Sequence, residues 1–375
     1  LVRLVAIVPW VWAVGLVLML MLSWFAPQDF RETARPYLAL MAFTFLFDTM
    51  IFHVGLMTLA PAALALVLRR KRLSAVLVTL SLSLLAIPLW DARPKSIDPT
   101  LQQRSKLRVF SLNVYAENRS YDLIVAEINR WDPDVIVLVE MSGRTGKAII
   151  PQLKEEYPYI SYPNVIGGGT ILTRIPSKRN PTPLLHRIGE PEADAPREPV
   201  VMEFAGVDVA IYGVHLMSPS RTLKQSTGWN ALGTLAYSTK ENRRQVADLT
   251  ELIQLETRPT IIAGDFNFTR STANMRRLRS VGLIESHAQA GSGLGITWTP
   301  KWWPQISRLS GFRIDHILMT RELRAIRHYV GNDVGSDHLP VISDIVMAAE
   351  AVPEASESKE SSGSNAAALV EGEAK

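Results

Sequence analysis

No cysteine occurs among the 375 residues, which excludes a disulfide framework, a thiolate zinc site, an iron–sulfur cluster and a thiol nucleophile. Any metal must therefore be held by carboxylate, amide or imidazole groups. An excess of one charge is nearly absent too, because the net of +4 sums three unlike parts. Charge is sparse before Trp90, mixed through the middle, and acidic in the Ser- and Ala-rich tail after Ala351. The net charge consequently selects no partner. A repeat with a period of about 20 to 50 residues is also missing, which excludes a solenoid. Apolar residues are plentiful, and at 47% they exclude a disordered or collagen-like chain.

Leu4 to Ala26 carry no charge, and at about 1.5 Å per residue they reach roughly 34 Å, enough to cross a bilayer core of about 30 Å. A cleaved secretory signal has an apolar core of about 7 to 15 residues and a small-residue cleavage site, and neither precedes Gln28-Asp29. The second apolar run, Tyr37 to Leu68, would be about 48 Å long as one straight helix, so the membrane core covers its later part. Asp48 and His53 then lie near one interface, where an acid reaches water at little cost, and Asp48 takes no catalytic role. A third run, Leu73 to Leu89, follows Arg69-Arg70-Lys71-Arg72, whose adjacent cations mark the cytoplasmic side. Three crossings are expected, with the N-terminus inside and everything after Trp90 outside the cytoplasm. Arg93, Lys95, Arg104, Lys106 and Arg108 oppose that orientation, and the third run is short for a crossing.

From Leu107 the pattern changes to short Val- and Ile-rich runs broken by Pro, Gly and Asn and alternating with amphipathic stretches, the signature of an α/β domain. Strands are expected at Arg108 to Val114, Asp134 to Glu140, Val207 to His215, Pro259 to Asn267 and Phe312 to Met319, with helices at Asp122 to Arg130 and Glu241 to Leu255. Asn113, Glu140, His215, Asp265, Asn267, Asp315, His316, Asp337 and His338 stand where these strands run out. Singly, such residues are turn formers or satisfied histidines. Jointly, they are too expensive to bury unpaired and point to one polar site.

Ser-Leu-Asn113, Val-Leu-Val-Glu140, Gly-Val-His215-Leu, Gly264-Asp265-Phe-Asn267, Arg313-Ile-Asp315-His316 and Ser336-Asp337-His338-Leu-Pro occur in this order. The set closely resembles the endonuclease/exonuclease/phosphatase superfamily, the group of deoxyribonuclease I, apurinic endonucleases, neutral sphingomyelinases and inositol polyphosphate 5-phosphatases. The resemblance spans about Leu107 to Val346, and the apolar preface is similar to that of membrane-anchored bacterial members. It departs at Val139, where the family's second motif has Gln before its Glu. The resemblance implies a four-layer α/β sandwich, two mixed β-sheets flanked by helices, after about three transmembrane helices. Residues 1–90 are then the anchor, 91–106 a linker, 107–350 the catalytic domain and 351–375 a disordered tail.

Carboxylate and amide oxygens without thiolate favour a hard cation, Mg²⁺ first and Mn²⁺ as the alternative. Glu140 is the expected principal metal ligand, and by resemblance Asn113 completes or orients the metal site and Asp337 adds a carboxylate. Asp315 pairs with His338 to fix the ring tautomer. Asp265 orients or deprotonates water, Asn267 and His215 donate to phosphoryl oxygens, and the division between Asp265 and His338 as base stays open. His316, next to Asp315 on a strand, faces away and is structural.

Three glycine-rich stretches fail as nucleotide sites. Gly143-Arg-Thr-Gly146-Lys147-Ala148 has the wrong spacing and no Mg²⁺-binding hydroxyl, Gly167 to Gly169 precedes a strand, and Gly291 to Gly295 has loop composition. Arg270, Arg276, Arg277 and Arg279 follow the Asp265 motif and would meet a nucleic-acid backbone or lipid head group, or form a solvated helix face. Trp298, Lys301, Trp302 and Trp303 form an aromatic loop suited to a membrane interface or to internal packing. The expected activity is hydrolysis of a phosphodiester, in lipid or nucleic acid, outside the cytoplasm and without a protein partner. Phosphomonoester hydrolysis and a non-catalytic membrane scaffold are the alternatives.

Overall fold

The computed structural model describes residues 5–25, 35–161, 169–179, 199–219, 229–299 and 310–348. Lys301, Trp302, Trp303 and the tail lie outside the described residues, as do Gly167 and Gly168.

Four helices come first: α1 (Val8–Phe25), α2 (Arg35–Thr49), α3 (Ile51–Val67) and α4 (Lys71–Asp91). α1 and α4 are each long and apolar enough to cross a membrane, and α2 with α3 passes only as a bent pair, turned by 79°. The run from Tyr37 is thus two helices rather than one straight one. The reason is packing: Ala42 of α2 joins Leu235 and Ala236 in one apolar cluster, and Phe45 joins the core beside Val246 and Leu249. α2 is therefore committed to the following domain, whereas α3 folds back on α4. The short apolar run of which least was expected, the third, is the longer of the two straight helices.

After a four-residue helix, α5 (Pro99–Gln102), capped by the Asp98 carboxylate, the α/β pattern begins. The first sheet is ordered β11-β12-β1-β2-β4-β3, made of β1 (Leu107–Asn113), β2 (Val135–Val139), β3 (Tyr159–Ser161), β4 (Thr170–Thr173), β11 (Leu323–Val330) and β12 (Val341–Met347). The second is ordered β5-β6-β7-β8-β10-β9, made of β5 (Ser177–Arg179), β6 (Val200–Phe204), β7 (Val207–His215), β8 (Thr260–Asp265), β9 (Ile284–Glu285) and β10 (Asp315–Met319). Both sheets are mixed, with β1 parallel to β2 and β7 parallel to β8.

Alternation along each strand sends one set of side chains between the sheets and the other outward. Val109, Val137, Ile211, Ile261, Ile317 and Ile345 fill the interior. Phe110, Ile136 and Leu138 face Ile124 and Ile128 of α6 (Tyr121–Trp131) and Ile149 of α7 (Gly143–Leu153). Tyr212, Ile262 and Leu318 face Val246 of α8 (Trp229–Leu255) and Met275 of α9 (Ala273–Ser280). Helix, sheet, sheet, helix are the four layers expected. The sheets approach backbone to backbone at Gly169, where a Cβ would sit 2.6 Å from the Gly213 Cα. Gly143 and Lys147 belong to α7, started by Ser142 accepting from the Thr145 N–H, so this stretch is an ordinary helix start.

Candidate active site

Topology gathers the polar set at one rim. Asn113, His215 and Asp265 end the parallel strands β1, β7 and β8, and Glu140 follows β2 directly. Asp315 instead begins β10, which runs antiparallel to β8, and His338 lies three residues before β12, antiparallel to β1. These two residues therefore stand at strand starts, not ends, and the reversed direction brings them to the same rim. Register completes the alignment, since Asp265 sits between His215 and Asp315 in one row.

Local backbone is strained there. Glu140 and Asn267 both hold φ 56°, a left-handed conformation uncommon outside glycine, which turns each side chain at the strand exit. Gly264 has φ 145°, and a Cβ there would lie 1.9 Å from the Val214 carbonyl oxygen, so the approach of β8 to β7 beside Asp265 requires glycine.

Asn113 links the two halves of the site. Its Nδ2 donates to Glu140 Oε1 at 3.2 Å and to Asp265 Oδ2 at 3.1 Å, while its Oδ1 accepts from the Tyr115 N–H at 3.0 Å. The amide orientation is thereby fixed by the network, with the nitrogen toward the acids. His215 Nε2 lies 3.4 Å from Glu140 Oε1 and 3.7 Å from Asp265 Oδ2. His338 Nδ1 lies 2.8 Å from Asp315 Oδ2, and its Nε2 faces Asp265 Oδ2 at 3.8 Å. Ser336 fastens this loop, donating to the Asn113 carbonyl at 2.7 Å and accepting from the His338 N–H at 3.1 Å. Asp337 accepts from Trp298 Nε1 at 3.4 Å, and its charge acts on the His338 ring. Asn267 spends one amide hydrogen on the Leu216 carbonyl, at 2.9 Å.

Burial works against charge in this cluster, and the partners decide the outcome. Burial pushes the Asp265 carboxyl up, to about 7, with the Asp315 charge adding to the rise and His338, Asn113 and the Asn267 N–H opposing it. For His338 burial disfavours the cation, but Asp315 and Asp265 outweigh it and raise the ring to about 10. Burial also lifts Glu140, yet the His215 ring, the Asn113 amide and the Ala116 N–H hold it below the usual carboxylate range.

The donor chemistry fits a hard cation. Asp265 and Asp315 bring carboxylate oxygens within 4.8 Å of each other and of the His338 ring, which as a cation is no ligand itself, and Asp315 Oδ1 is a buried oxygen without a hydrogen-bond partner among the described residues. Glu140 and Asp265 both converge on the same amide. Several carboxylates held together away from water lower their energy by sharing a cation.

His316 faces away, as expected, with its ring nitrogens 2.9 Å from Glu285 Oε1 and 2.9 Å from the Phe268 carbonyl. Three of the arginines after Asp265 make internal contacts, and Arg279 alone of the four takes the solvated position. Arg270 pairs with Asp91 at the end of α4, Arg276 pairs with Asp48 of α2 at 3.4 Å and lies over the Trp24 ring of α1, and Arg277 bonds Thr250. The partners of Asp48 are Ser23 and Arg276. Arg313 adds a second clamp on Asp91 at 2.6 Å and reaches Glu285 at 3.0 Å. The clamp on Asp91 escaped sequence reasoning, because an acid closing an apolar run carries no local sign of partners more than 170 positions away. Trp298 follows the internal-packing alternative, its ring 6.0 Å from the Phe312 ring and 6.4 Å from the His338 ring.

Residues 110–338 match the model of the Endonuclease/Exonuclease/phosphatase family. Among solved structures, an endonuclease/exonuclease/phosphatase from Beutenbergia cavernae is 20% identical with a TM-score of 0.46, over 65% of this chain and 72% of that one. An AP endonuclease from Archaeoglobus fulgidus is 16% identical with a TM-score of 0.45, over 65% and 100%. A 3′ phosphatase from Neisseria, bound to product DNA hairpin, is 16% identical with a TM-score of 0.43, over 63% and 98%. No curated protein matches the sequence. With a family match that runs from β1 through His338 and covers more than half of the chain, the protein belongs to the Endonuclease/Exonuclease/phosphatase family.

Proposed function

We propose that the protein is a membrane-anchored, divalent-metal-dependent hydrolase of phosphodiesters, with its catalytic domain outside the cytoplasm. The observation that carries the reaction is Asp265, buried among Asn113, His215, Asp315 and His338 at one rim of the sandwich. A buried acid lifted into the neutral range is suited to take a proton, and a histidine held as a cation is suited to receive a phosphoryl oxygen.

Glu140 and its carboxylate neighbours would hold Mg²⁺ or Mn²⁺, with Asp337 beside them and Asn113 in the orienting role that its amide direction favours. When bound, the cation withdraws charge from the phosphoryl and leaving oxygens. The chain's own groups do the rest. Asp265 accepts a proton as water attacks phosphorus, the P–O bond to the leaving alcohol breaks, the leaving oxygen takes a proton from a solvent water, and Asp265 then returns its proton to the resulting hydroxide. His338, oriented by Asp315, and His215 donate to the non-bridging oxygens as their charge grows, and the second amide hydrogen of Asn267 is available for the same purpose.

The helix arrangement supports the anchor and its side. α3 and α4 form a hairpin whose tip is the Arg69 to Arg72 segment, and the opposite end, at Asp91, is gripped by Arg270 and Arg313. The cationic loop and the catalytic domain thus occupy opposite ends of the hairpin. Three crossings, by α1, α3 and α4, fit that arrangement, with α2 lying against α8 on the domain side.

Purified full-length chain in detergent should hydrolyse bis(p-nitrophenyl) phosphate on addition of Mg²⁺ or Mn²⁺, and faster than p-nitrophenyl phosphate. Preference for the monoester would replace the diester reading. Folded chain that turns over neither with either metal would sink the hydrolase reading.

A further inference from the structure

An apolar cleft, partly open to solvent, lies at the junction of the helical hairpin and the catalytic domain. Ile51 and Phe52 of α3, Ile87 of α4, and Ile296 and Phe312 of the domain give it apolar walls. The wall is continuous across the two parts, because the His53 ring of α3 packs 4.8 Å from the Phe312 ring. Ile87 of α4 lines the pocket and is itself 59% exposed, so this wall of the pocket reaches the apolar surface of the helix. Two hydroxyl oxygens stand in this apolar setting, on Thr49 and Thr269, both buried and neither hydrogen-bonded to any described residue. A buried hydroxyl left unpaired costs stability, so a ligand that enters here is favoured if it brings polar atoms at one end of an apolar body.

The pocket also adjoins the reaction site. Thr269 follows Asn267 by two residues and Phe312 precedes Asp315 by three, and each residue spans at most about 3.6 Å of chain, so pocket and rim lie within roughly 7 to 11 Å along either segment. That is less than one leaflet, about half of a 30 Å core. Arg270 and Arg313 line the same space, but Asp91 and Glu285 together balance their two charges, which leaves a rim without excess charge.

We propose that this junction is a subsite for a membrane phospholipid, taking the acyl and ester region laterally from the bilayer while the head-group phosphodiester lies at the Asp265 and His338 rim. The proposal rests on the hydrolase reading above and adds the substrate class to it. Nucleic acid, with no apolar tail and a charge on every phosphate, has no use for an apolar, charge-neutral cleft beside the scissile group.

The test uses full-length chain reconstituted into vesicles of phosphatidylethanolamine and phosphatidylglycerol with Mg²⁺, containing a trace of phospholipid with a diazirine near the ester end of one acyl chain. Irradiation should label peptides carrying Phe52 or Phe312. Ile87→Trp, and separately Ile296→Trp, fill the pocket without touching the acid and histidine cluster. Each should cut that labelling and vesicle phospholipid hydrolysis by roughly tenfold or more while changing bis(p-nitrophenyl) phosphate turnover by less than about twofold. Labelling confined to the outer faces of α1 and α4 in the unaltered chain overturns the subsite, whether or not the variants fold. So does an equal fall on both substrates, or a fall on neither. Soluble diester turnover with no phospholipid turnover sinks the lipid substrate alone, whereas loss of both in the unaltered chain sinks the hydrolase reading beneath it.

Discussion

Replacing Asp315 with Asn tests whether one carboxylate holds His338 as a cation. Asp315 Oδ2 lies 2.8 Å from His338 Nδ1, both groups are buried, and the ring titrates at about 10. Breaking a buried pair costs about 3 to 5 kcal/mol, and one pKa unit is about 1.36 kcal/mol, so the ring should fall by about 2 to 4 units. Asp265 and Asp337 still face it in the variant, which keeps the fall at the smaller end and places the ring near about 8. Histidine NMR of the metal-free chain, with the signal assigned through His338→Gln, reads this directly. Stability gives an independent reading. A histidine raised in the folded state contributes fully below its unfolded value of about 6.5 and loses that contribution as pH rises through the folded value. The unaltered chain should therefore lose stability from about 6.5 up to about 10, and the variant's decline should end near about 8. Asp265, raised to about 7, acts in a lower window, from about 4 to 7, so the two effects separate. An unchanged titration of His338, or the same pH slope of thermal stability in both proteins, refutes the pairing as the cause.

Four further outcomes are expected. Glu140→Gln should raise the Mg²⁺ concentration needed for half-maximal diester turnover by roughly tenfold or more in a folded chain, and an unchanged titration would remove Glu140 from the ligand set. His338→Ala should cut turnover by roughly 100-fold or more, with the Asp315→Asn double variant little worse, whereas multiplying losses would show independent action. Asp91→Ala leaves Arg270 and Arg313 with Glu285 as their one remaining acid and should lower stability by about 3 kcal/mol, read by thermal unfolding in detergent, with Asp91→Glu partly restoring it. Protease added to spheroplasts should remove the catalytic domain, and protection until lysis would place it in the cytoplasm.

The sandwich was legible because its strands are short apolar runs whose period and flanks are local properties, and because the motif order, Asn113 through His338, is written in the sequence itself. The residues of the site were legible for the same reason. How they meet was not. That Asp315 and His338 open antiparallel strands while Asn113 and Asp265 close parallel ones depends on sheet order, and only pairing between distant strands sets it. The direction of the Asn113 amide, toward Glu140 and Asp265, required the Tyr115 N–H on its other side. The N-terminal helices divide in the same way. Length and hydropathy identified three apolar runs and the cationic loop, since both are properties of a single segment. The 79° break at Met50, the burial of α2 against α8 and the clamp of Arg270 and Arg313 on Asp91 are contacts between segments far apart in the chain. Composition fixes which side chains must leave water or find a partner, and the tertiary fold alone decides which partner each one finds.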